Sequence, residues 1–508
     1  VRFGFVIDQD RCIGCHACTV ACKEEHNVPV GVFRTWVKYI EKGEFPNASR
    51  HFGVLRCNHC DDAPCVEICP TVALFRRDDG IVDFDSSRCI GCKSCMQACP
   101  YDALYIDPNS HTAAKCNYCA HRADVGLAPS CVIVCPTQAI IPGDLDDPAA
   151  PISRIVATQK VTSRKPEKGT NPKLFYVGID GDLINPAASA QEAAHLWAER
   201  QPADAPEELP AGYHRFEPPG TPRVVYNAAH PAPWGWMIGA YLFTKSIAAG
   251  ALMVAALMAL LGYRAEGAVF DLAAPIVAIV FAGLTGVLLI ADLKRPGRFY
   301  FLFTKPNPRS FVVIGAWILL GYGGIAALWF LSAIASSAPA PPAVVVAAAV
   351  LSIGAACYTG FLFAQARGRD LWQSPLFTWH LLVQALVAGA AVLALAAIRA
   401  HAGLPTLHAL AATMMAGMCL SGAMILGEVF LPPASEDVSR ATAILRRGAL
   451  SAQFWGGAIV AGIAAPIVLA IASGGAGVLM VVAAMLALGG VWLFESLWVR
   501  AGQAVPLS

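Results

Sequence analysis

Cys89-Ile90-Gly91-Cys92-Lys93-Ser94-Cys95-Met96-Gln97-Ala98-Cys99-Pro100 follows C-x2-C-x2-C-x3-C-P. Cys12, Cys15, Cys18 and Cys22 repeat that spacing without the proline. Cys57, Cys60, Cys65 and Cys69 widen one gap to C-x2-C-x4-C-x3-C before Pro70, and Cys116, Cys119, Cys131 and Cys135 widen it further before Pro136. Thiolates are soft ligands suited to iron in a cubane cluster. Two-residue gaps let one tight loop reach three corners of a cube, and the fourth cysteine, leaving on another course, reaches a neighbouring cluster. Gly14 and Gly91 suit loops whose backbone passes close to such a body. No quartet lacks a member, so four [4Fe–4S] clusters and one-electron chemistry are expected. The spacing leaves open which motifs pair.

The competing readings fit less well. Sixteen of the 18 cysteines lie between Cys12 and Cys135. An extracellular disulfide framework does not call for triplets plus one. Structural zinc uses C-x2-C pairs but not four such runs. Cys12-Ile13-Gly14-Cys15-His16 matches the covalent haem pattern by letter, inside a cluster motif. Cys357 and Cys419 read as small buried apolar residues, and Met414, Met415, Met418 and Met424 as helix packing. Walker A and Rossmann fingerprints are missing from the sequence, and no secretory leader is expected between Val1 and Cys12.

Outward from the cysteines the composition changes. The 508 residues are 56% hydrophobic and 14% charged, which calls for membrane segments. The net charge of +1 gives no reason to expect nucleic-acid binding. Residues 186–233 are Ala/Pro-rich, with Pro202, Pro206, Pro210, Pro218, Pro219, Pro222, Pro231 and Pro233, and read as a linker or strap. Apolar stretches follow at 235–262, 271–292, 311–333, 343–366, 376–399, 406–431, 452–473 and 477–499, each about 20 residues or more, as a bilayer span requires. Trp234, Trp236, Tyr300, Trp372, Trp455 and Trp498 are expected as interfacial anchors. The expected fold is α+β: a tandem ferredoxin-like four-cluster domain over 1–185, the linker, and an all-α eight-helix transmembrane bundle over 234–508. An even number of spans puts the cluster domain with the loops holding Lys294, Arg295, Arg298, Lys305, Arg309, Arg367, Arg369, Arg440, Arg446 and Arg447; the other side has little beyond Arg264 and Arg399. The positive-inside rule then places the cluster domain in the cytoplasm of a bacterial or archaeal cell, the periplasm being the alternative.

Ionisable residues within spans are costly and mark function. Lys245 lies deep in the first span, Asp292 and Glu428 near span ends, Glu495 late in the eighth, and His380 early in the fifth. Lys245, Glu428 and Asp292 are candidate proton-relay groups. Structural pairing is the rival for each: Lys245 with a buried acid, Asp292 with Arg295 or Arg298. His380 is weighed as a haem ligand, for which partners at matching depth are needed.

Residues 1–185 resemble the four-cluster iron–sulfur subunits of the DMSO reductase, polysulfide reductase and formate-dependent nitrite reductase systems. The resemblance rests on the four motifs in order, on Gly80-Ile81-Val82-Asp83, and on Tyr105-Ile106-Asp107 leading to Lys115-Cys116-Asn117-Tyr118-Cys119. It implies clusters on Cys12, Cys15, Cys18 and Cys135; on Cys116, Cys119, Cys131 and Cys22; on Cys57, Cys60, Cys65 and Cys99; and on Cys89, Cys92, Cys95 and Cys69. The back half resembles the NrfD/polysulfide reductase membrane subunit, through Pro233-Trp234-Gly235-Trp236, Asp292-Leu293-Lys294-Arg295-Pro296-Gly297-Arg298-Phe299, Asn307-Pro308-Arg309-Ser310 and Tyr358-Thr359-Gly360-Phe361-Leu362. It implies a quinone (menaquinone or ubiquinone) near Asn227, His230 and Tyr358. The implied partner is a molybdopterin catalytic subunit, or else a multihaem cytochrome. The two parts, usually separate subunits, stand here in one chain.

Overall fold

The computed structural model describes residues 1–186, 190–191, 222–263, 266–336 and 339–508. Pro202, Pro206, Pro210, Pro218, Pro219 and Arg264 lie outside them. The chain divides into two compact units, Val1–Pro233 with Pro506–Ser508, and Trp234–Val505.

The first unit is built on short strands: β1 (Phe3–Asp8), β2 (Thr35–Lys42), β3 (Ser49–Arg56), β4 (Leu74–Arg76), β5 (Val82–Phe84), β6 (Leu104–Ile106), β7 (Ala113–Lys115), β8 (Ile140–Asp144), β9 (Val161–Thr162), β10 (Leu174–Val177), β11 (Ala190–Gln191) and β12 (Arg223–Tyr226). They form two four-stranded sheets, ordered β8-β1-β10-β9 and β11-β12-β2-β3, and two hairpins, β4-β5 and β6-β7. In β1, Phe5, Val6 and Ile7 are all buried, as a strand with neighbours on both edges and cover on both faces requires. The hairpins join consecutive cysteine motifs. The β4-β5 turn places Gly80 at φ +78, and in the β6-β7 turn the Asp107 carboxylate accepts from the amides of Asn109 and Ser110 at 2.9 Å each. The end of the Ala/Pro-rich stretch belongs to this unit, because β12 pairs antiparallel with β2.

Among the described residues of the second unit, eight helices are long and apolar enough to cross a membrane: Trp236–Leu260, Ala268–Ala291, Phe311–Ala335, Pro342–Gln365, Leu376–Arg399, Leu404–Phe430, Gln453–Ala472 and Gly477–Ala504. They are called here the first to eighth spans, and their order matches the eight apolar stretches of the sequence. The first and fifth are the most enclosed. They meet at glycines: a Cβ on Gly250 would lie 1.9 Å from the Ala385 carbonyl oxygen, and one on Gly389 would lie 2.1 Å from the Gly250 oxygen. Small residues let membrane helices approach this closely. That crossing brings Lys245 and His380, on the same two helices, into the buried interior.

Three expected interfacial anchors are instead core residues. Trp234, Trp372 and Trp498 are buried, with Trp234 stacked on Trp372 at 5.4 Å and Trp498 on Phe377 at 5.9 Å. Trp236 and Tyr300 are exposed, as anchors must be. A span end packed by its neighbours and one facing lipid headgroups carry the same residue type, so composition does not separate them.

Candidate functional site

The four cysteine loops share a backbone device. The residue before the second cysteine of each motif is left-handed: Gly14 at φ +70, His59 at +45, Gly91 at +71 and Tyr118 at +62. Glycine enters this region without strain. The two larger residues are held there by their side chains. His59 Nδ1 accepts from the Val82 amide at 3.2 Å; the Tyr118 hydroxyl donates to the Gly4 carbonyl at 3.0 Å and accepts from the Gly143 amide at 3.0 Å. The turn aims backbone N–H groups at sulfur, as from His59 to Cys57 (3.5 Å) and Gly91 to Cys89 (3.4 Å). Ala113 adds a second donor to Cys89 at 3.4 Å, and Ala139 one to Cys135 at 3.2 Å.

None of the 18 cysteines is in a disulfide. Burial pushes the Cys12 thiol up, and Cys135 and Cys15 beside it push the same way. Burial likewise raises Cys22, whose thiol neighbours are Cys116 and Cys131. Cys60 and Cys65 are raised by burial and keep company with Cys57 and Cys99. Burial pushes Cys92 up to about 12; its thiol neighbours are Cys69 and Cys89, and those of Cys95 include Cys92, Cys89 and Cys69. The last cysteine of each motif therefore sits with the triplet of another. Cys69, Cys89, Cys92 and Cys95 line one cavity with Leu74, Phe84 and Ile90.

Buried thiols crowded together resist ionisation unless a cation compensates them. Among the described residues, no group of three or more His, Cys, Asp or Glu side chains closes on a single metal ion. Soft donors, most of them buried, and N–H groups directed at sulfur fit iron–sulfur clusters.

In the second unit, two buried polar groups stand out. Lys245 Nζ donates to the Ala356 carbonyl at 2.8 Å and lies 5.4 Å from the centre of the Tyr358 ring. Ser246 Oγ, one residue on, donates to Glu495 Oε1 at 2.8 Å, and Glu495 lies within electrostatic reach of Lys245. Tyr241 lies among Tyr358, Glu495 and Asp292. The second group centres on His380: its Nε2 is 2.9 Å from Ser421 Oγ, its Nδ1 is 3.6 Å from Glu428 Oε2, and Ser374 Oγ donates to Glu428 Oε1 at 2.6 Å. The His380 ring packs on Phe494 at 4.7 Å. Both ring nitrogens face protein groups, which does not suit a haem ligand.

Comparison with known proteins decides the family. The family described as polysulphide reductase, NrfD, matches residues 224–506, more than half of the chain. The chain belongs to the NrfD family. Ahead of this NrfD domain, the 4Fe-4S dicluster domain matches twice, over residues 11–74 and 50–145. A tetrathionate reductase subunit of Salmonella typhimurium is 44% identical over 202 residues, covering 39% of this chain and 80% of that protein. A polysulfide reductase polypeptide of Wolinella succinogenes is 40% identical over 181 residues, covering 35% and 94%. Protein NrfC of Escherichia coli K12 is 44% identical over 180 residues, covering 35% and 81%. The NrfD-family chain is thus a fusion of 4Fe-4S dicluster domains with an NrfD membrane domain, and a multi-pass membrane protein.

The residues expected to meet quinone fall in both units. Asn227 Oδ1 accepts from Trp36 Nε1 at 3.0 Å, and His230 packs on the Trp36 ring at 4.9 Å with its Nδ1 3.3 Å from Asp102 Oδ2. Burial, opposed by Asp102, pushes the His230 imidazole down. Its Nε2 is buried without a hydrogen-bond partner among the described residues. Tyr358 belongs to the second unit, where its ring fills the space a Cβ on Gly315 would need. Sequence reasoning missed Trp36 and Asp102 around these residues, the bond from Ser246 to Glu495, and the approach of Glu428 to His380. Arg369, counted among the basic loop residues, is buried and donates to the Val505 carbonyl at 2.9 Å.

Proposed function

We propose that this chain is the electron-transfer and membrane-anchor subunit of a respiratory molybdopterin oxidoreductase complex, carrying electrons between a catalytic partner and the quinone pool. The observation behind this is the company the thiols keep: four quartets, each closed by a cysteine from a second motif, on the chain that also holds an NrfD domain. The sixteen cysteines would hold four clusters, in the sets Cys12/15/18/135, Cys22/116/119/131, Cys57/60/65/99 and Cys69/89/92/95. Bound there, [4Fe–4S] clusters supply one-electron redox centres. The protein's share is to keep the thiolates dry, aim N–H groups at sulfur and fix the loops through the left-handed residues. Asn227, His230 and Tyr358 are the proposed quinone contacts, with the free Nε2 of His230 as the acceptor offered to a quinol hydroxyl. The relatives' names, which place them in tetrathionate and polysulfide reductases, support a reductase partner. The basic loops support a cytoplasmic cluster domain. The test is purification of the native complex, assay for molybdenum, and absorbance of the clusters on adding menaquinol or ubiquinol.

Proton translocation by the membrane domain is a second reading, favoured by the buried His380–Glu428 and Lys245–Glu495 groups. Asp292, near Tyr241, would belong to the same relay. Neutral replacements at Lys245 or Glu428 would then stop proton movement and leave quinone turnover in place.

A further inference from the structure

Arg56 ends β3 one residue before Cys57, yet its side chain serves other motifs. It is 0% exposed. Its Nη1 donates to Cys131 Sγ at 3.1 Å, and the thiols of Cys131, Cys116 and Cys18 lie around it. The guanidinium lies over the Phe5 ring at 4.7 Å, which shields it from water. Its Nε and Nη2 are buried with no hydrogen-bond partner among the described residues, and no carboxylate pairs with it there. Two other buried cations near the cysteines are paired within the protein: Lys115 Nζ donates to the carbonyls of Val82 and Cys116, and Lys173 pairs with Asp61 at 2.7 Å. A buried cation without a counter-ion costs several kcal/mol. The negative charge that would offset it lies on the ligands of motifs one and four.

We propose that Arg56 is a fixed positive charge that raises the reduction potentials of the two clusters held by motifs one and four above what their thiolates alone would set. Reduction adds one electron to each cluster and no proton, because the guanidinium stays charged at every accessible pH. The free Nε and Nη2 would be available for hydrogen bonds to a bound cluster, a known lever on potential.

This rests on the cysteines holding clusters, which the iron content of the wild-type complex tests separately. The experiment is a redox titration followed by electron paramagnetic resonance on the full complex, with Arg56→Gln and Arg56→Lys beside the wild type. Arg56→Gln is expected to cut the equilibrium for reduction about tenfold or more at two of the four clusters, a drop of 59 mV for a one-electron couple, with the other two unchanged. Arg56→Lys, which keeps the charge, is expected to shift the same two by less than half as much. Loss of iron in Arg56→Gln with retention in Arg56→Lys also supports the charge as the essential feature. Full iron with unchanged potentials in Arg56→Gln overturns the proposal. So does an equal shift at all four clusters, or equal loss of iron in both variants.

Discussion

Lys38 lies on β2, is 0% exposed, and its Nζ has no hydrogen-bond partner among the described residues. Burial, with Arg164 and Lys165 adding repulsion, pushes its ammonium from the ordinary 10.5 down to about 7. The unfolded chain therefore binds the proton more tightly than the folded one, and stability rises with pH between the two values. At about 1.36 kcal/mol per tenfold, the full penalty is about 5 kcal/mol below pH 7. It falls to about 2 kcal/mol near pH 9, where the unfolded lysine holds its proton less tightly. Lys38→Met keeps the bulk and removes the charge. Its advantage over wild type should be several kcal/mol near pH 6.5 and should shrink by roughly half near pH 9. The constant gain from added apolar surface does not vary with pH, so the narrowing isolates the charge. Hydrogen–deuterium exchange protection of the β2 and β3 amides, compared between the two proteins at each pH, reads the difference. An advantage that is the same at both pH values, or a variant less stable than wild type at neutral pH, would refute the reasoning.

Gly14→Ala must carry a Cβ at positive φ and 2.5 Å from the Phe52 ring; about 1–2 kcal/mol of backbone strain plus that clash should speed chelator-driven iron loss several-fold, whereas an unchanged rate would contradict the loop account. Glu25 ties Ala17–His26 to Ser130–Ile133 by accepting from the Ser130 hydroxyl, His121 at 2.7 Å and Arg122 at 3.3 Å. Those bonds, that of Ser130 foremost, hold its carboxyl down at about 2, so its contribution is present above the ordinary carboxylate range and is lost as pH falls toward that value. Glu25→Gln should therefore release iron at a higher pH than wild type in an acid titration followed by visible absorbance. Glu428→Gln removes the charge beside His380; quinone-linked turnover in proteoliposomes should persist while any proton uptake falls several-fold, and loss of both together would assign Glu428 to the quinone reaction itself.

Much of this molecule was legible because its signals are local. A cysteine motif keeps its four cysteines within about 20 residues, and a span needs about twenty apolar residues in a row, so both stand in the sequence as runs. The left-handed turn was half legible: Gly14 and Gly91 signalled it, while His59 and Tyr118, at the equivalent places, hide it by using side-chain anchors. Pairs formed across the bundle left no local trace. Ser246 and Glu495 meet 249 positions apart, and the sequence offers Lys245 several acids of equal standing. Trp234, Trp372 and Trp498 misled for the same reason, since helix-end tryptophans look alike whether lipid or protein covers them. Arg56 reads as an ordinary strand-end arginine until the fold brings Cys131 to it.

The central claim is that quinone and the clusters exchange electrons on this chain. The direct measurement is anaerobic stopped-flow absorbance of the purified native complex mixed with reduced menaquinol or ubiquinol. Cluster bleaching with one of them, in proportion to bound iron and abolished by His230→Ala or Tyr358→Phe, is the predicted result. Clusters that dithionite reduces but neither quinol does, and that neither quinone reoxidises, would contradict it.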